Sequence, residues 1–348
     1  MTVGPPIVDA DRRPPRWDLV GVAAALVAVF VSSVAIRAPW RGHLAPGDQW
    51  VTALEVRWLG AWHRDGAWNL KLALVESPPT AAFAGERRVV KWALPGHMLF
   101  VHALLEPLGL APTVERLHRI NLALHLLLAA ALSLLAYLLA RRAPPPLRTL
   151  APLVALHAGA FTLWFPPILY WGQNISMPDF TVLPLLTFVV GARWLRPAVT
   201  ARGARIALDI GVAAAVFCGA ITEFLFLVVP PYLVAARLFA ARRGRPYPKD
   251  PWLWTVALPF VAGLAVLLWV FVEQGQVAML AWRARTWMFT GAEQTGILVS
   301  LLLRVWFFAQ FLTGHYSHAY SLLGVVSLVL TMRLWRGYPG VAVVPAEV

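Results

Sequence analysis

Charge is scarce in this chain. Only 14% of its 348 residues are Asp, Glu, Lys or Arg, against about 25% in water-soluble proteins. Too few charges remain to coat a soluble particle of this size, which excludes a soluble two-domain enzyme and a disordered chain. Acids are the scarcer sign, 17 against 30 Lys and Arg, leaving a net charge of +13. Cysteine is nearly absent: Cys218 stands alone inside an apolar run. That excludes an intrachain disulfide, a secreted disulfide scaffold, a CxxC pair and a Cys-based metal site, and Cys218 reads as a small buried hydrophobe. GxGxxG, Walker A, GxSxG and HExxH patterns are also missing. Without a nucleotide cradle, an ATP-driven pump and an enzyme using soluble nucleotide sugars are disfavoured.

Apolar residues make up 59%, and the mean hydropathy is +0.66. They gather in runs near the roughly 20 residues that span a bilayer. The fold class expected is an all-α polytopic membrane protein in one domain, 1–348. The spans are predicted at Trp17–Ile36, Ile120–Ala140, Thr149–Phe165, Phe180–Trp194, Ile206–Ile221, Phe224–Phe239, Trp252–Val272 and Tyr320–Leu334. The first run exceeds a signal-peptide core, so it reads as a retained helix, with cleavage near Ser33 and Ala35 as the alternative. Gly296–Leu312 would be a ninth span, but Arg304 lies near its centre. A charge there costs several kcal/mol unless it snorkels or meets a polar cavity, so the segment reads as re-entrant or interfacial.

Lys and Arg sit at the span ends, which points to anionic headgroups rather than nucleic acid. With eight spans and both termini cytoplasmic, the inside holds 17 of the 30 bases and 6 of the 17 acids. The positive-inside rule favours that orientation. Two large loops then face outward, Arg37–Glu115 and Glu273–Ser317. The first holds two expected interfacial helices. Gln49–His63 carries Trp50, Leu54, Trp58 and Trp62 at spacings of four, with Glu55, Arg57 and Arg64 elsewhere. Pro95–Leu110 is apolar and short. Eleven acids face outward, so any chemistry is expected there.

The candidate groups each have a plain structural reading beside the chemical one. Asp48 precedes the Trp-rich helix, where it caps free N–H groups or acts as a base. Asp179 follows Pro178 at the mouth of a span, as a cap or as a ligand for a sugar hydroxyl. Tyr170, Trp171, Gln173 and Asn174 beside it suit sugars, since rings stack and amides pair hydroxyls. Glu223 lies in nearly continuous apolar sequence, which makes an acid a functional candidate. Arg283 and Arg285 suit a phosphate, or snorkel to headgroups. His315 and His318 lack a clear third ligand, so no cofactor is fixed and a divalent metal stays open.

The order of these elements resembles the GT-C membrane glycosyltransferases, in particular the protein-mannosyltransferase and aminoarabinose-transferase branch. The matching pattern is a basic N-terminus, one span, and a long outer loop with an early Asp (Asp48 in GDQW). A K-x-x-x-P-G-H segment follows (Lys91, Pro95, Gly96, His97), then His118, Arg119 and Asn121 at the second span, a cytoplasmic Arg pair, and Pro178-Asp179. The likeness runs over about Trp17–Phe239. Two departures stand out: Gln49 where many relatives have a second acid, and one proline before Gly96 where many have two.

The resemblance implies transfer of a sugar from a polyprenyl-phosphate carrier to a hydroxyl on a glycan, lipid or protein. Asp48 would be the general base. Asp179, Lys91, His97, Tyr170, Gln173, Asn174 and Glu223 would bind sugar or acceptor, and Arg283 and Arg285 the lipid phosphate. Composition rich in Ala, Arg, Pro and Trp hints at a GC-rich bacterial gene, and the location expected for such a multi-span chain is a bacterial plasma (inner) membrane. The competing readings are a transporter or flippase of polyprenyl carriers and a noncatalytic component of an envelope assembly.

Overall fold

A computed structural model describes residues 16–40, 50–75, 94–142, 148–164, 179–196, 199–223, 226, 233, 251, 253–275 and 277. These are essentially all helical. The helices are α1 (Arg16–Arg37), α2 (Trp50–Asp65), α3 (Gly96–Leu105), α4 (Val114–Arg142), α5 (Ala151–Trp164), α6 (Asp179–Leu195), α7 (Arg202–Thr222) and α8 (Leu258–Glu273). A π-helical turn, Leu253–Ala257, leads into α8 just before Pro259, whose missing N–H breaks the regular hydrogen-bond ladder.

Four of these stretches are long and apolar enough to cross a bilayer: Trp17–Arg37, Val114–Arg141, Arg202–Thr222 and Leu253–Glu273. They coincide with the first, second, fifth and seventh expected spans. The third and fourth appear as the shorter apolar helices α5 and α6. Span six beyond Phe226 and Leu233, the Gly296–Leu312 segment and the last expected span lie outside the described residues. Large apolar side chains point away from the protein on α1 (Val20, Val27, Val31) and α8 (Val261, Leu268, Val272). In water that surface would be costly. Against lipid tails it is matched, so the chain is a helical membrane protein.

Charge placement fits each helix to its own dipole. Asp18 lies in the first turn of α1 and Arg37 in its last, and Glu115 opens α4. At 29 residues, α4 is roughly 43 Å long, well beyond the roughly 30 Å of a hydrocarbon core. Its first two turns are therefore spare length, and they meet α2 and α3.

Two ends of the bundle can be told apart. At one, Tyr137 and Ala140 of α4 pack with Ala151 and Ala155 of α5 and Leu19 of α1. Small residues let these backbones approach. Arg196, just past α6, grips Asp209 of α7 through two bonds of 2.7 and 3.1 Å. At the other end, α2 and α3 cover the starts of α4 and α6 and the ends of α7 and α8. The candidate site lies there.

Candidate functional site

Helix α2 is anchored by its aromatic stripe. Trp58, Leu59 and Trp62 are buried with Met98, Val101 and Leu105 of α3, Leu117 of α4 and Val270 of α8. A buried indole removes 150–250 Å² from water, at most about 4–6 kcal/mol per ring. Trp62 Nε1 donates to the Ala73 carbonyl at 2.7 Å, so the chain must fold back after the helix. Gly66 makes that turn at φ +81°, with its N–H on the Trp62 carbonyl at 2.8 Å. Lys71 then pairs with Glu273 at the end of α8. Of the stripe expected from the spacing of four, Trp58 and Trp62 are buried and Leu54 is half-buried against them, while the side chain of Trp50 lies outside the described residues.

Helix α3 docks through its first residue. A Cβ on Gly96 would lie 2.6 Å from the Ile221 carbonyl carbon and 2.5 Å from Thr222 Oγ1. Only glycine fits this approach to the end of α7. The contact fixes the next side chain, His97, in the space between α2 and α6. His97 Nδ1 is 2.8 Å from Thr181 Oγ1 of α6. Its Nε2 is 3.5 Å from Glu55 Oε2 of α2. Glu55 and His97 are each 1% exposed and Thr181 is 5% exposed.

The chemistry of this buried row follows from its distances. At 2.8 Å the His97–Thr181 contact is a hydrogen bond, while 3.5 Å to Glu55 is a charge contact. Among the described residues Glu55 Oε2 makes no hydrogen bond. The buried Glu55 carboxyl therefore faces the His97 ring across that 3.5 Å contact, while the other ring nitrogen shares a hydrogen bond with the Thr181 hydroxyl. Thr52 of α2, His118 and Asn121 of α4 and Thr222 at the end of α7 are buried polar residues as well. His118, Asn121 and His125 share one face of α4, and His125 Nε2 donates to the Thr162 carbonyl at 3.2 Å.

Nearer the surface, Glu106 joins α2 to the end of α3. Its carboxylate accepts from His63 Nδ1 at 2.8 Å and lies 3.8 Å from His102 Nδ1. The His63 hydrogen bond holds the Glu106 carboxyl below its ordinary value. Among the described residues no three His, Cys, Asp or Glu side chains are grouped to hold a metal ion.

Of the residues singled out in the sequence, His97 is buried against protein groups on two sides. Asp179 is the first residue of α6, two before Thr181, and its side chain lies outside the described residues. Glu223 is half-buried and closes α7, its N–H on the Gly219 carbonyl and its carbonyl accepting the Phe226 N–H. His97, the start of α6 and Glu223 thus meet at one end of the bundle. Asp48 stands two residues before α2. Asp48, Lys91, Tyr170, Gln173, Asn174, Arg283 and Arg285 lie outside the described residues.

Glu55 and Thr181 are the site members that sequence reasoning missed. Glu55 had a signal: it stands three and seven residues before Trp58 and Trp62, on the inward side of the helix. Thr181 had none. Compared with protein-family models, curated proteins and solved structures, the chain matches none.

Proposed function

We propose that this chain is a membrane glycosyltransferase of the GT-C kind, moving a sugar from a polyprenyl-phosphate carrier to an acceptor hydroxyl at the outer face of the membrane. One observation carries the reading. The buried Glu55–His97–Thr181 row joins the first long loop to the start of α6 through the histidine of the K-x-x-x-P-G-H segment. The resemblance sets its sugar and acceptor groups around those same two pieces of chain.

In this reading the chain crosses eight times, with both termini cytoplasmic and the end bearing α2 and α3 facing outward. Asp48, just ahead of α2, takes the proton of the acceptor hydroxyl as that oxygen attacks the anomeric carbon. The bond from that carbon to the phosphate oxygen breaks, and the lipid phosphate departs with the electron pair. Arg283 and Arg285 stabilise the leaving charge. Asp179 and Glu223, with Lys91, Tyr170, Gln173 and Asn174, hold sugar and acceptor. His97 is buried between Glu55 and Thr181 and so serves as a positioning residue, setting α2 against α6. A placed base contributes about 10²–10⁴ in rate, and alignment of donor and acceptor supplies much of the rest.

The test is reconstitution in lipid with a panel of radiolabelled polyprenyl-phosphate sugars and envelope extract as acceptor. Label must leave at least one donor and appear in the extract. A folded protein that turns over no donor overturns the proposal and favours carrier transport or a noncatalytic role.

A further inference from the structure

Helix α5 turns a histidine toward lipid. Its buried side, Ala151, Ala155, Gly159 and Leu163, packs against α1 and α4. The opposite side carries Leu153, His157 and Phe161 at spacings of four, all exposed.

Two contacts set the depth of this histidine. The Ser133 hydroxyl of α4 donates to the Ala155 carbonyl at 2.7 Å. A Cβ on Gly159 would lie 2.5 Å from Leu26 Cδ1 of α1. Leu26 is the eleventh of the 22 residues of α1. Ser133 stands nine residues before the Arg142 end of α4, roughly 14 Å, about half of a hydrocarbon core of roughly 30 Å. His157, between Ala155 and Gly159, therefore lies near the middle of the bilayer.

An ionisable side chain at that depth ordinarily faces the bundle interior and pairs with a polar group. His157 faces outward. Its ring meets Phe161, with centroids 6.3 Å apart, and among the described residues no hydrogen bond reaches it. The cost of leaving the imidazole in hydrocarbon calls for a polar group from outside the chain, at the same depth.

We infer that a second copy of this chain docks on the Leu153–His157–Phe161 face, with the two His157 side chains paired across a two-fold axis. Copies of one membrane protein insert with the same orientation, so a two-fold axis between them stands along the bilayer normal. Such an axis sets each residue opposite residues of its own depth, and the copy's polar group at this depth is another imidazole. A neutral imidazole is both donor and acceptor, so the N–H of one ring donates to the bare nitrogen of the other. Hydrogen bonds of this kind join helices in membranes. The interface does not depend on the proposed transfer reaction.

The experiment uses the full chain in phospholipid vesicles at a low protein-to-lipid ratio. The one cysteine, Cys218, is exposed on α7 and is replaced by alanine. Leu153→Cys is compared with Val261→Cys, which stands exposed on α8, under oxidation by copper phenanthroline. Leu153→Cys is also combined with His157→Leu and with His157→Asn. Both changes fall on the exposed side of α5 and leave its packed side intact, and asparagine is again donor and acceptor. The expected result is a disulfide-linked dimer from Leu153→Cys, formed at least about tenfold faster than from Val261→Cys. His157→Leu should slow it at least about fivefold, and His157→Asn should recover most of the rate. No linked dimer from Leu153→Cys would mean that lipid or another segment of the chain covers this face, and overturns the proposal. Equal rates at the two positions, a rate unchanged by His157→Leu, or a His157→Asn rate no higher than that of His157→Leu overturns it as well.

Discussion

Replacing Gly96 with alanine tests how α3 is docked. The added Cβ would start 2.6 Å from the Ile221 carbonyl carbon, and ordinary contact begins at 3.4 Å. The neighbour is backbone of α7, which cannot swing aside as a long side chain can, so α3 must retreat by about 0.8 Å. Overpacking of this kind costs about 1–3 kcal/mol. The retreat carries His97 with it, and a hydrogen bond of 2.8 Å to Thr181 stretched by that amount is no longer one. Buried groups left unsatisfied add about 1–3 kcal/mol. We therefore expect a loss of about 3 kcal/mol. The assay is the apparent unfolding midpoint in detergent at one fixed scan rate, so that the variants are compared under the same kinetic conditions. Gly60→Ala is the internal comparison. Its Cβ meets nothing, and alanine is favoured over glycine in a helix by about 1 kcal/mol, so its midpoint should hold or rise. A Gly96→Ala midpoint equal to that of Gly60→Ala would refute the reasoning.

Three further outcomes follow from the same geometry. Arg196→Lys should destabilise the chain, because a lysine cannot reproduce the two-bond grip on Asp209; a midpoint unchanged from wild type would show the pair contributes nothing. A double-mutant cycle on Glu55→Gln and His97→Asn should give a coupling of about 1–3 kcal/mol, and a coupling near zero would deny the 3.5 Å contact any energetic role. The Glu106 carboxyl sits below its ordinary value of 4.5 because of the His63 hydrogen bond. Its contribution is therefore complete above about pH 4.5 and is lost as the pH falls through the lowered value in the folded state. Glu106→Gln should flatten the acid side of the midpoint–pH curve, and identical curves would contradict this.

The fold was legible where one physical rule acts alone. Hydrophobic run length placed α1, α4, α7 and α8, because nothing competes with the need to bury backbone polar groups in lipid. The Trp spacing placed α2 and its buried face. The site was legible only in part. His97 stood out through its neighbours Pro95 and Gly96, and Asp179 and Glu223 through their positions at the ends of apolar runs. Glu55 was assigned away from the aromatic stripe, because charge suggests exposure. Its partner His97 lies 42 positions on and Thr181 lies further still, and a pairing made across three helices leaves no local periodicity. The left-handed residues Lys71 and Leu72 were equally silent, since neither residue type favours that conformation. They belong to the turn that lets Lys71 reach Glu273.

The proposed function is tested most directly by Asp48→Asn in the sugar-transfer assay, run beside wild type in the same vesicles with the donor that the panel selects. Asparagine keeps the size and the capping oxygen of the side chain but cannot accept the acceptor's proton. Transfer should fall at least about 100-fold while donor binding stays unchanged. Equal turnover in the two proteins would contradict a base at Asp48 and the reaction built on it.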